Sequence, residues 1–526
     1  MAPPQKKEST GRHAFLVGSG ILLSRLVGLV RQRFINGAFG QGDTADAIAA
    51  ALRIPNMLQN LLGEGVLSAS FIPVYARLLA EGDDEEANRV AGAIFSALAL
   101  VASVVVLAGV LAAPYLIDAV ALGFTGYRRE MTTLLVRILF PGLGMLVLSA
   151  WCLGILNSHR KFFLSYTAPV LWNLAIIVTL IVFRAQPQQQ LAVTFAWGFV
   201  AGCALQFGVQ VPVVLRLARK LRPRLDTQSA HVREVIRNFV PVFVSRGVVQ
   251  ISAFVDLLLA SELGKGAVAG LNNAQTLYLL PIGLFGMSVS AAELPAMSSA
   301  LGGTAEVAAQ LRARLNAGLR QIAFFIVPSA MAFLTLGGVI VALLFQVRRF
   351  TAADAQYDWA ILAGSAVGLL AQTLGRLYSS TYYALRDTRT PLRFAVVRVI
   401  LTTALGFLCS IPLPHWLGID PKWGAAGLTA SAGVAGWVEF TLLRRGLNRR
   451  IGTSGLPAGL VARLWASALT AAAVAWTVKL GIGGRHPLSG GVAIVGAYGV
   501  TYFAAAWLLR VEECGAVVRR LVRFVR

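Results

Sequence analysis

The sequence predicts an all-α polytopic membrane protein of about fourteen transmembrane helices, and three observations carry that prediction. Apolar stretches of about 20 residues, each long enough to cross a roughly 30 Å hydrocarbon core, recur along the whole chain. Of its 526 residues, 56% are hydrophobic and only 13% charged, where a soluble protein has about 25% charged residues. The net charge of +23 is unevenly placed: alternate loops carry roughly three times as many Lys and Arg as the opposite ones, the positive-inside pattern. An even number of spans then puts both termini on the basic, cytoplasmic side. The basic surplus reads as topology plus attraction to anionic lipid headgroups, with no nucleic acid called for.

The first span, 13–37, contains GSGILLSRLVGLVRQRF, which sets Ser24, Arg25 and Arg31 inside an apolar segment. Those arginines, and the lack of a small-residue cleavage site, argue against a cleavable signal peptide. The second, 44–78, carries Asp46, Arg53, Asn60 and Glu64 with Pro55 and Pro73, then runs into the turn LLAEGDDEEANRV. Spans three to six follow at 89–120, 131–157, 163–184 and 190–216, the fourth and fifth joined by the basic loop of NSHRKFFLSYTAP. The seventh, 236–262, and eighth, 266–300, echo the first two. Ser245-Arg246 answers Ser24-Arg25, and Pro281 and Pro295 answer Pro55 and Pro73. Spans nine to twelve, 314–346, 356–385, 392–413 and 423–444, include the loop LRDTRTP, a counterpart of the one between spans four and five. Two more, 458–480 and 489–510, precede a basic tail, 511–526, expected to lie on the membrane surface.

Three echoes in register indicate two six-helix lobes, 1–222 and 223–450, with 451–526 holding two extra helices and the tail. Six spans per half keep corresponding elements in the same orientation, so the repeat is parallel. Transporters built this way bind substrate near the midplane between the halves and rock one against the other.

A charge at bilayer depth costs roughly 2.5–3.5 kcal/mol on insertion scales, so embedded charges normally face a watery cavity and a polar cargo. Asp46, Arg53 and Asn60 are spaced by seven; at about 100° per residue each step turns only about 20°, which places them along one face. Ser24 and Arg31 share a stripe by the same arithmetic, with Arg25 about 120° away. Buried ion pairs, Arg53 with Asp46 or Arg31 with Glu64, are the packing alternative. Cations nevertheless outnumber anions here, and guanidinium forks bind phosphate oxygens bidentately, so a phosphorylated cargo fits the surplus. Arg137, Arg246, Asp256, Glu293, Arg376, Arg398 and Glu439 are isolated in sequence; several should pair, Arg246 or Arg398 with Asp256 for instance. Asp256 is otherwise a candidate coupling-ion ligand or proton carrier.

No catalytic or metal constellation stands out. Cys152, Cys203, Cys409 and Cys514 are scattered, and the histidines share no metal-ligand spacing. Asp83-Asp84-Glu85-Glu86 reads as a solvated turn, which weighs against a membrane-embedded polyprenyl-phosphate transferase with a metal–diphosphate cluster. No Gly-rich phosphate loop points to ATP hydrolysis.

The run SRLVGLVRQRFINGAFGQGDTADAIAAALRIPNMLQNLLGEGVLSASFIPVYARLL resembles the amino-terminal signature of the MurJ/MviN family, flippases of lipid-linked peptidoglycan precursor. The resemblance extends through QISAFVDLLLAS and LPIGLFGMSVSAAELPAMS to the fourteen-span layout. It implies the multidrug/oligosaccharidyl-lipid/polysaccharide exporter superfamily, two lobes around a cationic cavity, and a groove for a polyprenyl tail on spans 13 and 14. The implied cargo is lipid II, an undecaprenyl-diphosphate-linked precursor, moved across the bacterial cytoplasmic (inner) membrane. Implied partners are membrane lipids and cell-wall synthesis or division proteins. Membrane potential, binding of Na+ or H+ at Asp256, and protonation at Asp46 or Glu64 are the candidate means of resetting the cycle, and no cofactor is expected. Carried over by position, Arg25 and Arg31 match the family's span 1 arginines, Asp46 its acidic residue opening span 2, Arg53 its basic residue before Pro-Asn, and Glu64 its Glu-Gly step. Gln59 and Asn60 stand where some members have a paired arginine, and Gln275 and Thr276 where the family commonly has Asp-Arg. The second lobe thus loses a cation that Arg246 or Arg376 could replace. A sodium site reported for some members would have Asp256 here, with Arg398 in its span 11. The alternatives within the superfamily are an exporter of another polyprenyl-linked glycan and a drug/cation antiporter, whose acidic cavity this basic one contradicts.

Overall fold

In the computed structural model, residues 8–226, 228–290, 293, 297, 304–482 and 487–515 are described. The side chains at 8–19, 21, 64, 245, 246, 248, 249, 251 and 252 lie outside that description, as does most of the basic tail. In hydrocarbon no water satisfies the backbone, so the spans fold as helices with their bonds closed internally. The chain runs α1 (Glu8–Phe39), α2 (Asp43–Leu62), α3 (Glu64–Ser70), α4 (Ile72–Glu81), α5 (Asp84–Leu111), α6 (Ala113–Val120), α7 (Gly126–Ser158), α8 (Phe162–Val182) and α9 (Gln188–Leu217). It continues as α10 (Ala230–Ser261), α11 (Ala267–Pro281), α12 (Thr304–Phe345), α13 (Ala352–Ala384), α14 (Arg389–Ser410), α15 (Pro412–Trp416), α16 (Gly424–Ile451), α17 (Ala458–Ile482) and α18 (Pro487–Leu508).

Ten helices among the described residues are long and apolar enough to cross a membrane: α5, α7, α8, α9, α12, α13, α14, α16, α17 and α18. The other four spans of the sequence reading correspond to α1, to α2 through α4, to α10 and to α11. These carry the embedded polar residues and prolines that lower their hydropathy, and parts of three of them run outside the described side chains. The second span is not one rod. It breaks at Gly63, whose N–H bonds the Gln59 carbonyl at 2.7 Å, and a Cβ there would collide with that same carbonyl oxygen. It turns again at Gly82, which caps α4 in the left-handed region at φ 79°. Exposed Leu100, Val104, Leu107 and Leu111 recur along α5 at helical spacing and turn an apolar face to lipid.

The chain divides into two compact units, Met1–Leu258 and Leu259–Arg526. In the first, α7 is the central helix, packed by α2, α5 and α9; α8 lies on α9 and α1 on α8. In the second, α13 is central, packed by α11, α12 and α16, with α14 on α16. Numbered by span, each unit makes the same pairings: second, third and sixth on fourth, and fifth on sixth. The α1–α8 packing has no counterpart of that extent in the second unit, and α10, the seventh span, falls mainly within the first. Gly368 of α13 and Gly433 of α16 face each other so closely that a Cβ on either would enter the other's backbone. α17 and α18 pack on each other and on α12, as an addition to the second unit.

Candidate functional site

Helices α1 and α2 place the expected cations within the first unit. Arg31 points to α8: its Nη1 donates to Asn173 Oδ1 at 3.0 Å, and its guanidinium lies 4.7 Å from the Trp172 ring centroid. The Asn173 amide is itself fixed, because its Nδ2 donates to the Pro169 carbonyl at 2.8 Å and so turns the oxygen toward the arginine. The partners of Arg31 are thus neutral, and its Nε is buried without a hydrogen bond. Arg53, two residues before Pro55, buries its Nη1 without a partner. The charge that acts on Arg53 is Asp256, on α10. Among the described residues neither Arg31 nor Arg53 has a carboxylate in ion-pair contact, so the Arg53–Asp46 pair considered from sequence is not formed. For Arg31–Glu64, the Glu64 side chain lies outside the described residues.

The stripe on α2 passes from packed to open. Asp46 is fully buried in the first turn, Arg53 is half-buried, and Asn60 is exposed. Negative charge suits a helix N-terminus, and this end is anchored to α7: Asp43 lies 3.5 Å from Arg128, and Thr44 is 3.0 Å from the Tyr127 hydroxyl. Ser24 and Arg25 are half-buried on α1.

Elsewhere, pairs differ from expectation. Arg398 meets Glu439, Nε to Oε2 at 3.1 Å, instead of Asp256, because α14 and α16 are packed neighbours. Glu293 lies 3.5 Å from Arg314. The Arg246 side chain lies outside the described residues. Gln275 and Thr276 are half-buried on α11, and Thr276 spends its hydroxyl on the Asn272 carbonyl at 2.9 Å, so neither brings a charge. The acidic turn is more than solvated. Asp83 caps α5 by accepting from the Glu86 N–H at 3.0 Å, and Glu86 accepts from the Ser229 hydroxyl at 2.6 Å and faces His231 at 3.2 Å.

Two features escaped the sequence reading. Trp172 and Asn173, the side chains that orient Arg31, sit in an apolar span, and the available signal was an amide one turn after an intramembrane proline. The buried pair Asn273–Asp358, at 2.9 Å between α11 and α13, was overlooked because Asp358 stands near a span end. Chemically, the first unit offers two guanidinium groups with unused N–H donors, that of Arg31 among fixed neutral neighbours. That set suits an anion with several acceptor oxygens.

Residues 35–493 match the family model described as lipid II flippase MurJ. A curated relative from Burkholderia cenocepacia, named lipid II flippase MurJ, is 32% identical over 447 residues, covering 83% of this chain and 84% of its own. One from Rhizobium meliloti, named probable lipid II flippase MurJ, is 30% identical, covering 81% and 78%. Among solved structures, a lipid II flippase MurJ in an inward closed conformation superposes with TM-score 0.78 at 22% identity, over 94% of this chain and 99% of that one. A multidrug resistance transporter of the MATE family, inward-facing, gives TM-score 0.62 at 18% identity, over 84% and 100%.

Proposed function

The chain belongs to the MurJ family of lipid II flippases, and from that premise we propose how it holds and moves its cargo. It is a multi-pass membrane transporter of lipid II, not an enzyme. The diphosphate of the headgroup is held by Arg25, Arg31 and Arg53, with Ser24 and Asn60 contacting its polar surroundings and Asp46 and Glu64 bounding the cationic patch. The observation that carries this reading is the pair of buried donors without partners, Arg31 Nε and Arg53 Nη1. Charge-assisted bonds to such donors contribute roughly 1.5–3 kcal/mol each. The Trp172–Asn173 cradle holds the Arg31 fork in place before cargo arrives, which lowers the ordering cost of binding.

The lipid tail stays in the bilayer along the exposed apolar faces of α17 and α18, which include Leu469, Val492 and Val500. Asp256 supplies the reset. Its charge compensates Arg53 when the site is empty, and a proton or sodium ion taken up there would release Arg53 to the diphosphate. Membrane potential acts on the same cationic cargo site. Both termini lie in the cytoplasm by the loop asymmetry, and peptidoglycan synthesis and division proteins are the partners that consume the product.

Depletion and rescue test the site. In cells lacking any other flippase, the chain with a C-terminal fluorescent protein that matures only in the cytoplasm should rescue growth and fluoresce. Arg25→Ala with Arg31→Ala should fluoresce equally without rescuing. Peptidoglycan synthesis sustained by that double variant would remove these arginines from the cargo site.

A further inference from the structure

The second unit contains a polar cavity of about 380 Å³, lined among others by Ser290, Gln372, Arg376, Ser380, Arg398 and Glu439. It is not near a helix end. Arg376 precedes the end of α13 at Ala384 by eight positions, roughly 12 Å along the helix, and Arg398 stands nine positions into α14. A π-helical segment, Ile282–Met287, follows α11 directly and delivers Met287 and Ser290 to the cavity wall. Such local changes of helical register recur at functional sites.

The charges on this wall do not cancel. Glu439 is shared by Arg398, at 3.1 Å, while Arg376 has no carboxylate within ion-pair distance among the described residues. On the same wall, Ser290 Oγ is buried without a hydrogen-bond partner. A net positive, donor-rich cavity at this depth requires an anion with several acceptor oxygens.

We propose that this cavity is a second anion site, which binds a phosphoryl group through Arg376 and Arg398 with a hydroxyl donor from Ser290. The competing carboxylate Glu439 occupies Arg398 when the site is empty. The phosphoryl group is either carried on a polyprenyl diphosphate or free in solution. Only the lipid-borne source rests on the flippase reading.

Calorimetry with inorganic pyrophosphate tests the site on the full-length protein in detergent, in an Arg25→Gln/Arg31→Gln/Arg53→Gln background that silences the first-unit site. Adding Arg376→Gln should weaken binding about tenfold, and adding Glu439→Gln should tighten it several-fold by removing the competitor. A purely structural Arg398–Glu439 pair gives a lower melting temperature for Glu439→Gln and no gain in affinity. That result, or no pyrophosphate binding in the background protein, overturns the proposal. Competition by polyprenyl diphosphate in nanodiscs identifies the lipid-borne source, and saturable binding without such competition identifies the free anion. Failure of growth rescue bears on the first-unit site and leaves this titration readable.

Discussion

Arg31 shows how one residue's role depends on neighbours the sequence keeps far away. Its presence in an apolar span marked it as functional, because a charge there costs roughly 2.5–3.5 kcal/mol unless something uses it. Its acceptor, 142 residues later, carries no charge and leaves no such signature. The neutral clamp predicts a separation of stability from transport. Asn173→Asp places a carboxylate against the guanidinium, so the protein should melt at a higher temperature while lipid II flipping in liposomes falls well below that of Asn173→Ala. Asn173→Ala should lose several-fold activity by freeing the fork from its fixed orientation. If Asn173→Asp transports as well as the parent, the amide does not tune Arg31 for an anion. The same logic separates what was legible at Arg53. Its stripe with Asp46 and Asn60 followed from helical geometry, but its electrostatic partner Asp256 lies on another helix, and a lone sequence cannot pair the two.

The helices were legible to within a few residues because a bilayer demands about 20 apolar residues per crossing and loops interrupt that pattern. Their ends were less so. Arg160, Arg386 and Arg510 each adopt positive φ (58°, 58° and 53°) just after α7, α13 and α18. A cation at a helix C-terminus is favoured by the macrodipole, which offsets part of the left-handed strain. The first two sit at equivalent points of the repeat, in the loops that echo each other in sequence. The contact between the α4–α5 turn and the start of α10 was not legible, since it joins charges over 130 positions apart. Arg77 bonds Glu234 at 2.6 Å and Arg89 bonds Asp226 at 2.6 Å. The Gln228 N–H and then Arg89 hold the Asp226 carboxyl below its ordinary range, and the Arg77 guanidinium does the same for Glu234. A depressed carboxylate stabilises the folded contact above its unfolded pKa and loses that contribution as pH falls through the folded value. Hydrogen exchange over residues 228–237, corrected for its intrinsic pH dependence, should therefore be flat from neutral pH to roughly pH 5 and accelerate below roughly pH 4. High salt and Arg77→Ala with Arg89→Ala should accelerate it at neutral pH. Exchange indifferent to all three treatments would mean that packing alone holds this turn.

At the scale of the molecule, four helix pairings recur by span number in the two units, where the sequence offered paired prolines and Ser-Arg steps. Which helix sits at the centre was not readable, because α7 and α13 are no more apolar than the lipid-facing spans around them. The attachment of the extra pair was equally hidden, and it turns on one proline. Pro328 inside α12 lacks the N–H that would bond the Phe324 carbonyl, four residues earlier. The Tyr502 hydroxyl of α18 donates to that carbonyl at 2.6 Å, and the Tyr498 hydroxyl donates to the Pro328 carbonyl at 2.7 Å. A helix defect in the second unit is thus repaired by a helix outside the repeat, which fixes the register of α18 on α12 in a medium where no water can substitute. Tyr502→Phe should destabilise the fold by about 1–3 kcal/mol, the cost of an orphaned buried carbonyl. Pro328→Ala restores the helical donor, so Tyr502→Phe in that background should cost much less. The coupling between the two sites in a double-mutant cycle of thermal unfolding is therefore predicted to exceed about 0.5 kcal/mol. Additive losses would show that Tyr502 holds α18 by ring packing against Phe324, whose centroid lies 5.6 Å from its own, and that its hydroxyl contributes nothing to the docking.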